Sequence, residues 1–179
     1  KGKYYLKLAI EQARHLTSVA TQLMDFQKVD IGKEQLTVST IDMIGFIKTR
    51  KIMFDSFAKS KNIELVFVSE CECLKTAVDE QKMEKIVDNL ISNAIKFTPR
   101  NGKIEISTKP ILIEEKNFQK ITMSDPGLGI EPNRVKNLFR IDKTESYPGT
   151  EDEKGTGLGL LLCQEFIEKQ GGEISVEST

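Results

Sequence analysis

Asn89, Asn93 and Lys96 follow one another at spacings of four and three residues, and on a 3.6-residue period they stand along one side of a helix. Lys85 and Ser92 flank this seam, with Asp88 at its margin. The face therefore offers neutral oxygen acceptors and cations, and almost no carboxylate. Amide oxygens can ligate a hard cation such as Mg²⁺ without competing for its charge, and an ammonium can approach a phosphate oxygen. The opposite side, Met83, Ile86, Val87, Leu90, Ile91, Ala94 and Ile95, is an apolar stripe that must be buried. Taken alone, such a seam is more often a solvated face than a site.

Two glycine-rich stretches downstream change that balance. Asp125 to Ile130 reads Asp, Pro, Gly, Leu, Gly, Ile at the end of an expected strand. Gly127 and Gly129 let the backbone approach a flat ligand, and the Asp125 carboxylate can accept hydrogens from an exocyclic amine such as adenine's. Gly155, Thr156, Gly157, Leu158 and Gly159 lead directly into an apolar helical run, Leu160 to Ile167. A glycine loop feeding a helix N-terminus suits phosphate, because uncapped amides and the helix dipole both point at the anion. Between the two lies Asp142 to Lys154, charged and turn-rich, which reads as a lid. A plain turn and a flexible hinge are the ordinary readings of the two glycine stretches.

The elements that must position these residues are a mixture. Lys3 to Val29 carries Leu6, Ala9, Ala13, Leu16, Ala20 and Leu23 three and four apart, the pattern of a coiled-coil helix in search of a partner. His15, the chain's only histidine, falls on its solvent side as ordinary surface. A second domain is expected from Ile31: a strand over Gln35–Thr40, a helix capped by Asp42 to about Lys59, strands at Glu64–Ser69 and Leu74–Val78, and the seam helix opened by Asp79. Strands at Lys103–Lys109 and Gln119–Ser124 follow, the latter with a hairpin partner near Ile111–Ile113. A short helix over Glu131–Phe139, the apolar helix, and a final strand at Glu173–Glu177 complete the order. The fold class is α+β: a two-layer α/β sandwich, a mixed sheet with helices on one face, preceded by a dimerising helix.

The 179 residues can hold one well-buried domain with an appendage. Lys and Arg number 26 against 27 Asp and Glu, interspersed, so nothing marks a nucleic-acid or membrane surface. Cys71, Cys73 and Cys163 fit neither a disulfide framework nor a zinc site, and suit a reducing cytosol. No run is long enough to span a membrane, and Lys1 onward shows no signal-peptide pattern. The chain reads as a piece of something longer.

With the three segments in order, residues 31–179 resemble the ATP-binding domain of sensor histidine kinases of two-component systems. Asp88–Pro99 resembles the family's N box, Asp125–Ile130 its first G box, Gly155–Leu160 its second, and Leu138–Phe139 its F box. The resemblance implies a Bergerat-type fold and ATP with Mg²⁺. It puts Asn89 and Lys96 in catalysis and Asn89 and Asn93 on the metal. The nucleotide would meet Asn89, Asn93, Lys96, Phe97, Asp125, Gly127, Gly129, Ile130, Lys154, Gly155, Thr156, Gly157, Leu158 and Gly159. Residues 1–30 resemble the second helix of the dimerisation and phosphotransfer domain, implying a homodimer and a response-regulator receiver domain as partners. The implied location is the cytoplasmic portion of a parent anchored in the inner membrane. Met24–Asp30 and Phe139–Gly159 further resemble hybrid sensor kinases of gut Bacteroidetes.

Three departures accompany the resemblance. No histidine is followed by an acidic residue, so the accepting histidine is expected outside these residues. Pro126 removes a backbone donor beside the expected adenine loop. The family's last strand would fall after Thr179. Within the same fold, an ATP hydrolase would carry a Glu where Asn89 stands, because Asn cannot take a proton from water. A serine kinase of the anti-sigma type would share the fold too, as would a nucleotide-binding dimerisation module without kinase activity.

Overall fold

The computed structural model describes residues 2–30, 35–140, 142, 147–151, 153 and 155–178. Of the expected site and surface residues, Lys154 and the side chain of His15 lie outside that description. The chain divides into two compact units, residues 1–35 and 36–179.

The first unit contains α1 (Gly2–Asp30), a single helix of 29 residues. Leu6, Leu16 and Leu23 on it are exposed. Thr17 and Thr21 return their hydroxyls to the carbonyls four residues earlier, so these polar side chains are satisfied within the helix.

The second unit runs β1 (Val38–Asp42), α2 (Met43–Ser60), β2 (Glu64–Ser69), β3 (Lys75–Asp79), α3 (Glu80–Phe97), β4 (Lys103–Ile113), β5 (Lys116–Ser124), α4 (Pro132–Val135) and α5 (Gly159–Lys169). The strands form two ladders: β1 with β3 antiparallel, and β2 parallel to β4, which pairs antiparallel with β5. A chain of side chains links the two. Thr76 on β3 donates to Gln119 on β5 at 2.6 Å, and Gln119 donates to Thr108 on β4 at 2.6 Å. The result is the α+β mixed-sheet architecture expected, with α2 and α3 packed over the strands and α5 packed on α3.

Two aspartates start the long helices. Asp42 accepts the amides of Ile44 and Gly45, and Asp79 accepts that of Lys82. Each satisfies first-turn donors that have no partner inside the helix. The apolar stripe of α3 is buried, from Ala94 at 5% exposure to Ile91 and Ile95 at 0%, except for Leu90, which is half-buried. Each large aliphatic contributes about 1.5–3 kcal/mol relative to exposure. Across that stripe α3 meets α2 and α5, whose Ile44, Ile47, Leu162 and Phe166 complete the core.

Several boundaries differ from expectation. The first strand is Val38–Asp42 rather than Gln35–Thr40, and the helix after Pro132 stops at Val135 rather than Phe139. Lys103–Lys109 and Ile111–Ile113 are one strand, β4, running through Pro110. Proline is tolerated there because the pairing with β2 ends at Thr108, so its missing N–H falls outside that ladder. The hairpin closes at Glu114 and Glu115, with φ of 47° and 65°. Finally, residues 172–178 form no ladder. A strand needs a hydrogen-bonded neighbour, and what Ser178 gains instead is the Ile130 amide on its hydroxyl at 2.8 Å.

Candidate nucleotide site

Helix α3 carries the expected seam, and the N-terminus of α5 is set directly on it. A Cβ at position 159 would stand 2.5 Å from both Asn89 Oδ1 and Nδ2. Only glycine permits that approach, and it brings the first turn of α5 against the Asn89 carboxamide. No side chain caps α5 at Leu158. Its amide donates to Thr156 Oγ1 at 3.3 Å, and Gly157 turns the chain at φ 78°. The helix therefore presents first-turn amides with no capping side chain beside two amide oxygens. Asn93 reaches back toward Asn89 with a long Nδ2 to Oδ1 separation of 3.5 Å. One turn into α5, Cys163 is buried against the Ile86 carbonyl. Burial pushes its thiol up to about 12, with the Asn89 side chain acting in the opposite direction. It is a neutral packing group rather than a nucleophile.

Lys96 stands at the far end of the seam. Its ammonium donates to the Tyr147 carbonyl at 2.9 Å and lies 4.7 Å from the centre of the Phe97 ring. Burial lowers its pKa, and the charge of Glu153 offsets part of that. Tyr147 in turn stacks under the Arg134 guanidinium of α4 at 3.3 Å. A cation is thus held at the C-terminal end of α3 by a carbonyl, a neutral acceptor that an anion could displace.

The Asp125 loop reaches the same end of α3. A Cβ at Gly127 would collide with the Asp125 carboxylate and lie 3.1 Å from the Phe97 carbonyl. Packing around the Asp125 carboxyl raises its pKa, while the Gly127 N–H, donating to it, pulls the other way. The residue as a whole is open to solvent, so an acceptor is presented outward from a partly desolvated base. Gly129 follows at φ 69°, and the amide of Ile130 is tied to Ser178.

The structure thus brings Asn89, Asn93, Leu158 and Gly159 together at one end, and Phe97, Asp125 and Gly127 at the other. Lys96 lies against residue 147 instead of the glycine loop. Sequence reasoning missed Lys61, Thr150 and Glu153. Lys61 is 3% exposed and donates to the Ile95 carbonyl at 3.0 Å, Thr150 Oγ1 at 2.8 Å and Glu153 Oε1 at 2.8 Å. A lysine after the last turn of an amphipathic helix carries no local sign that it will be buried.

Residues 78–179 match the family described as histidine kinase-, DNA gyrase B- and HSP90-like ATPase. The chain belongs to that family. Within it, the chain is an ATP-binding catalytic domain of the histidine-kinase kind. It is 30% identical over 174 residues to hybrid signal transduction histidine kinase D of Dictyostelium discoideum, covering 97% of this chain but 11% of that relative. Its fold is similar to full-length ShkA in complex with AMPPNP, with a TM-score of 0.76, 21% identity, and coverage of 98% of this chain and 36% of that one. It is also similar to histidine kinase ThkA in complex with response regulator TrrA, with a TM-score of 0.71, 21% identity, and coverage of 95% and 45%. The chain therefore spans about a tenth of that Dictyostelium kinase. Among the described residues no helix is long and apolar enough to cross a membrane, and no cluster of three or more His, Cys, Asp or Glu could hold a metal.

Proposed function

We propose that the second unit is the kinase core of a sensor histidine kinase, binding ATP with Mg²⁺ and passing the γ-phosphoryl group to a histidine outside these residues. The carrying observation is the close approach of Gly159 to Asn89, which puts the uncapped α5 amides and the amide oxygens of α3 on one small space. Those donors fit a hard cation shared with phosphate: neutral oxygens from Asn89 and Asn93, with the remaining ligands left to phosphate and water. Bound there, Mg²⁺ would neutralise charge developing on the phosphate oxygens. Gly155 to Gly159 would hold the phosphates by their amides, and Lys96 would leave the Tyr147 carbonyl for a phosphate oxygen. At the other end, Asp125 would accept the adenine amino hydrogens, with Phe97, Gly127, Gly129 and Ile130 around the base.

Transfer joins an imidazole nitrogen to the γ-phosphorus and breaks the bond to the ADP oxygen, with the imidazole proton released. It asks positioning and charge neutralisation of the protein, and no base on α3. Asn89 supplies none, which speaks against hydrolysis. The exposed leucines of α1 would pair with a second copy of the chain, as residues 1–30 of a dimerisation domain. The ThkA complex supports a receiver domain as the recipient of the phosphoryl group. The unit would lie on the cytoplasmic side of a membrane-anchored parent. Incubation with labelled ATP and a supplied dimerisation domain carrying a phosphoacceptor histidine should give acid-labile label on that domain and none on this chain. Label at His15, or none on the supplied domain, would overturn the proposal.

A further inference from the structure

The C-terminus of α3 is capped from a distance. Its last-turn carbonyls have no partner within the helix, and the residue that ends it, Thr98, satisfies only Ala94. The others are met by α2 and by residues just before the glycine loop. Lys61 Nζ donates to the carbonyls of Ile95 at 3.0 Å and Lys96 at 3.4 Å. Thr150 donates its amide to Lys96 O at 3.0 Å, and its hydroxyl lies 3.2 Å from the carbonyls of both Lys96 and Thr98. Lys61 then reaches on to Thr150 Oγ1 and Glu153 Oε1, both at 2.8 Å. The carboxylate is bent back on its own segment, accepting the Glu151 amide at 2.8 Å. Burial alone would raise the Glu153 carboxyl, but the Lys61 ammonium and these amides more than offset it. Lys61 itself is fixed because α2 ends there in an αL turn, Asn62 at φ 56°, with the Ile63 amide returned to Ala58.

We infer that Lys61 is a positioning residue of the nucleotide site: it fastens Thr150 and Glu153 to the carbonyl end of α3 and so sets where the Gly155–Gly159 segment meets Asn89 and Asn93. Three facts point the same way. The ammonium is almost fully buried and its acceptors come from two segments, 34 to 92 residues away in sequence. Glu153 precedes Gly155 by two positions, so its anchorage leaves the glycine loop little slack. A Cβ at Gly149, in the same segment, would lie 2.5 Å from Lys96 Cγ, so the strap packs closely on the seam where Thr150 bonds the Lys96 carbonyl. The adenine loop at Asp125 takes no part in this set of bonds. Lys61 acts through the strap and touches no nucleotide.

The inference rests on the site proposed above, and its test separates the two. Titrations of this chain with AMPPNP·Mg²⁺ and with adenosine, followed by NMR, compare wild type with Lys61→Met, Lys61→Arg, Glu153→Gln and Thr150→Val. Lys61→Met should weaken AMPPNP by about ten- to hundredfold, the loss that follows removal of a buried charge-assisted contact ordering a loop. Adenosine should stay within about twofold. Glu153→Gln should shift the same ratio in the same direction by less, and Lys61→Arg should lie nearer wild type than Lys61→Met. If Lys61→Met does not fold, Glu153→Gln and Thr150→Val decide by the same ratio. An unchanged AMPPNP-to-adenosine ratio in folded variants would overturn the inference, as would equal losses of both ligands. Wild type that binds neither ligand would instead overturn the site itself.

Discussion

The two ends of α3 are held by different physics. At the N-terminus, Asp79 is 4% exposed and gathers its own helix, β1 and α5. It accepts the Thr37 amide at 2.9 Å and the Lys82 amide at 3.1 Å, while its own amide donates to Gln170 at 2.8 Å. The hydrogen-bond partners there are backbone amides and one carboxamide, with the Lys82 ammonium 3.9 Å from the carboxylate. At the C-terminus the partners are the long side chain of Lys61 and residues of the strap before the glycine loop. A helix fixed at one end and fastened at the other through a segment next to the ligand separates stability from binding. The comparison predicts that substitutions near Asp79 lower stability without changing ligand preference, and those near Asn93 do the reverse.

The largest effect on stability is expected from Asp79→Ala. It removes a cap, strands the Thr37 amide and leaves the buried Lys82 without the carboxylate 3.9 Å away, a loss of about 2–4 kcal/mol. Urea denaturation checks this, and the AMPPNP-to-adenosine ratio of the surviving folded protein should match wild type. The carboxyl also makes a pH prediction. Burial alone would raise its pKa, but the amides of Thr37 and Lys82 outweigh burial and hold it below the ordinary range. A depressed folded pKa means the stabilisation is present above the unfolded value, about pH 4, and is lost as pH falls through the folded one. Asp79→Asn should flatten that acid limb of the stability curve.

The caps, the apolar stripe and the seam of α3 were legible in the sequence because each is set by residues within a turn or two of one another. Asp42 and Asp79 stand immediately before the helical periodicity they start, and the spacing of Asn89, Asn93 and Lys96 needs only a helix. What could not be read depended on distant partners or unusual turns. Glu114 and Glu115 adopt the left-handed conformations for which glycine or asparagine is the usual signal, so the hairpin turn went unmarked and β4 read as two strands split at Pro110. The role of Lys61 was invisible because all four of its acceptors lie on segments far along the chain. The resemblance implied that Asn89 and Gly159 both meet the nucleotide, but their direct contact with each other depends on how α5 packs on α3.

A smaller effect is expected at the adenine end, which belongs to neither anchor. Asp125→Asn keeps the shape but adds a donor, so the preference for ATP over GTP should fall by about tenfold. Competition binding measures it, and an unchanged ratio would leave Asp125 as a turn residue only. Because packing raises the Asp125 pKa, its acceptor is lost on acidification sooner than an ordinary aspartate's. Adenosine affinity should therefore decline as pH falls toward the carboxylate range in wild type and decline less in Asp125→Asn, where only the protonation of adenine N1 remains. Adenosine carries no phosphate whose own titration would intrude.

The smallest effect is expected from Gln170→Ala, which takes one neutral acceptor from the Asp79 amide and costs about 1 kcal/mol. Thermal denaturation should detect it with no change in nucleotide binding; a change in binding would mean the two ends of α3 are coupled more closely than their contacts indicate.

The most direct test of the seam is the Mg²⁺ dependence of AMPPNP affinity in wild type and Asn93→Ala, measured by calorimetry beside their melting temperatures. Mg²⁺ should tighten binding to wild type by tenfold or more, about 1.4 kcal/mol, and the gain should vanish in Asn93→Ala at an unchanged melting temperature. Equal Mg²⁺ dependence in the two proteins would contradict the account.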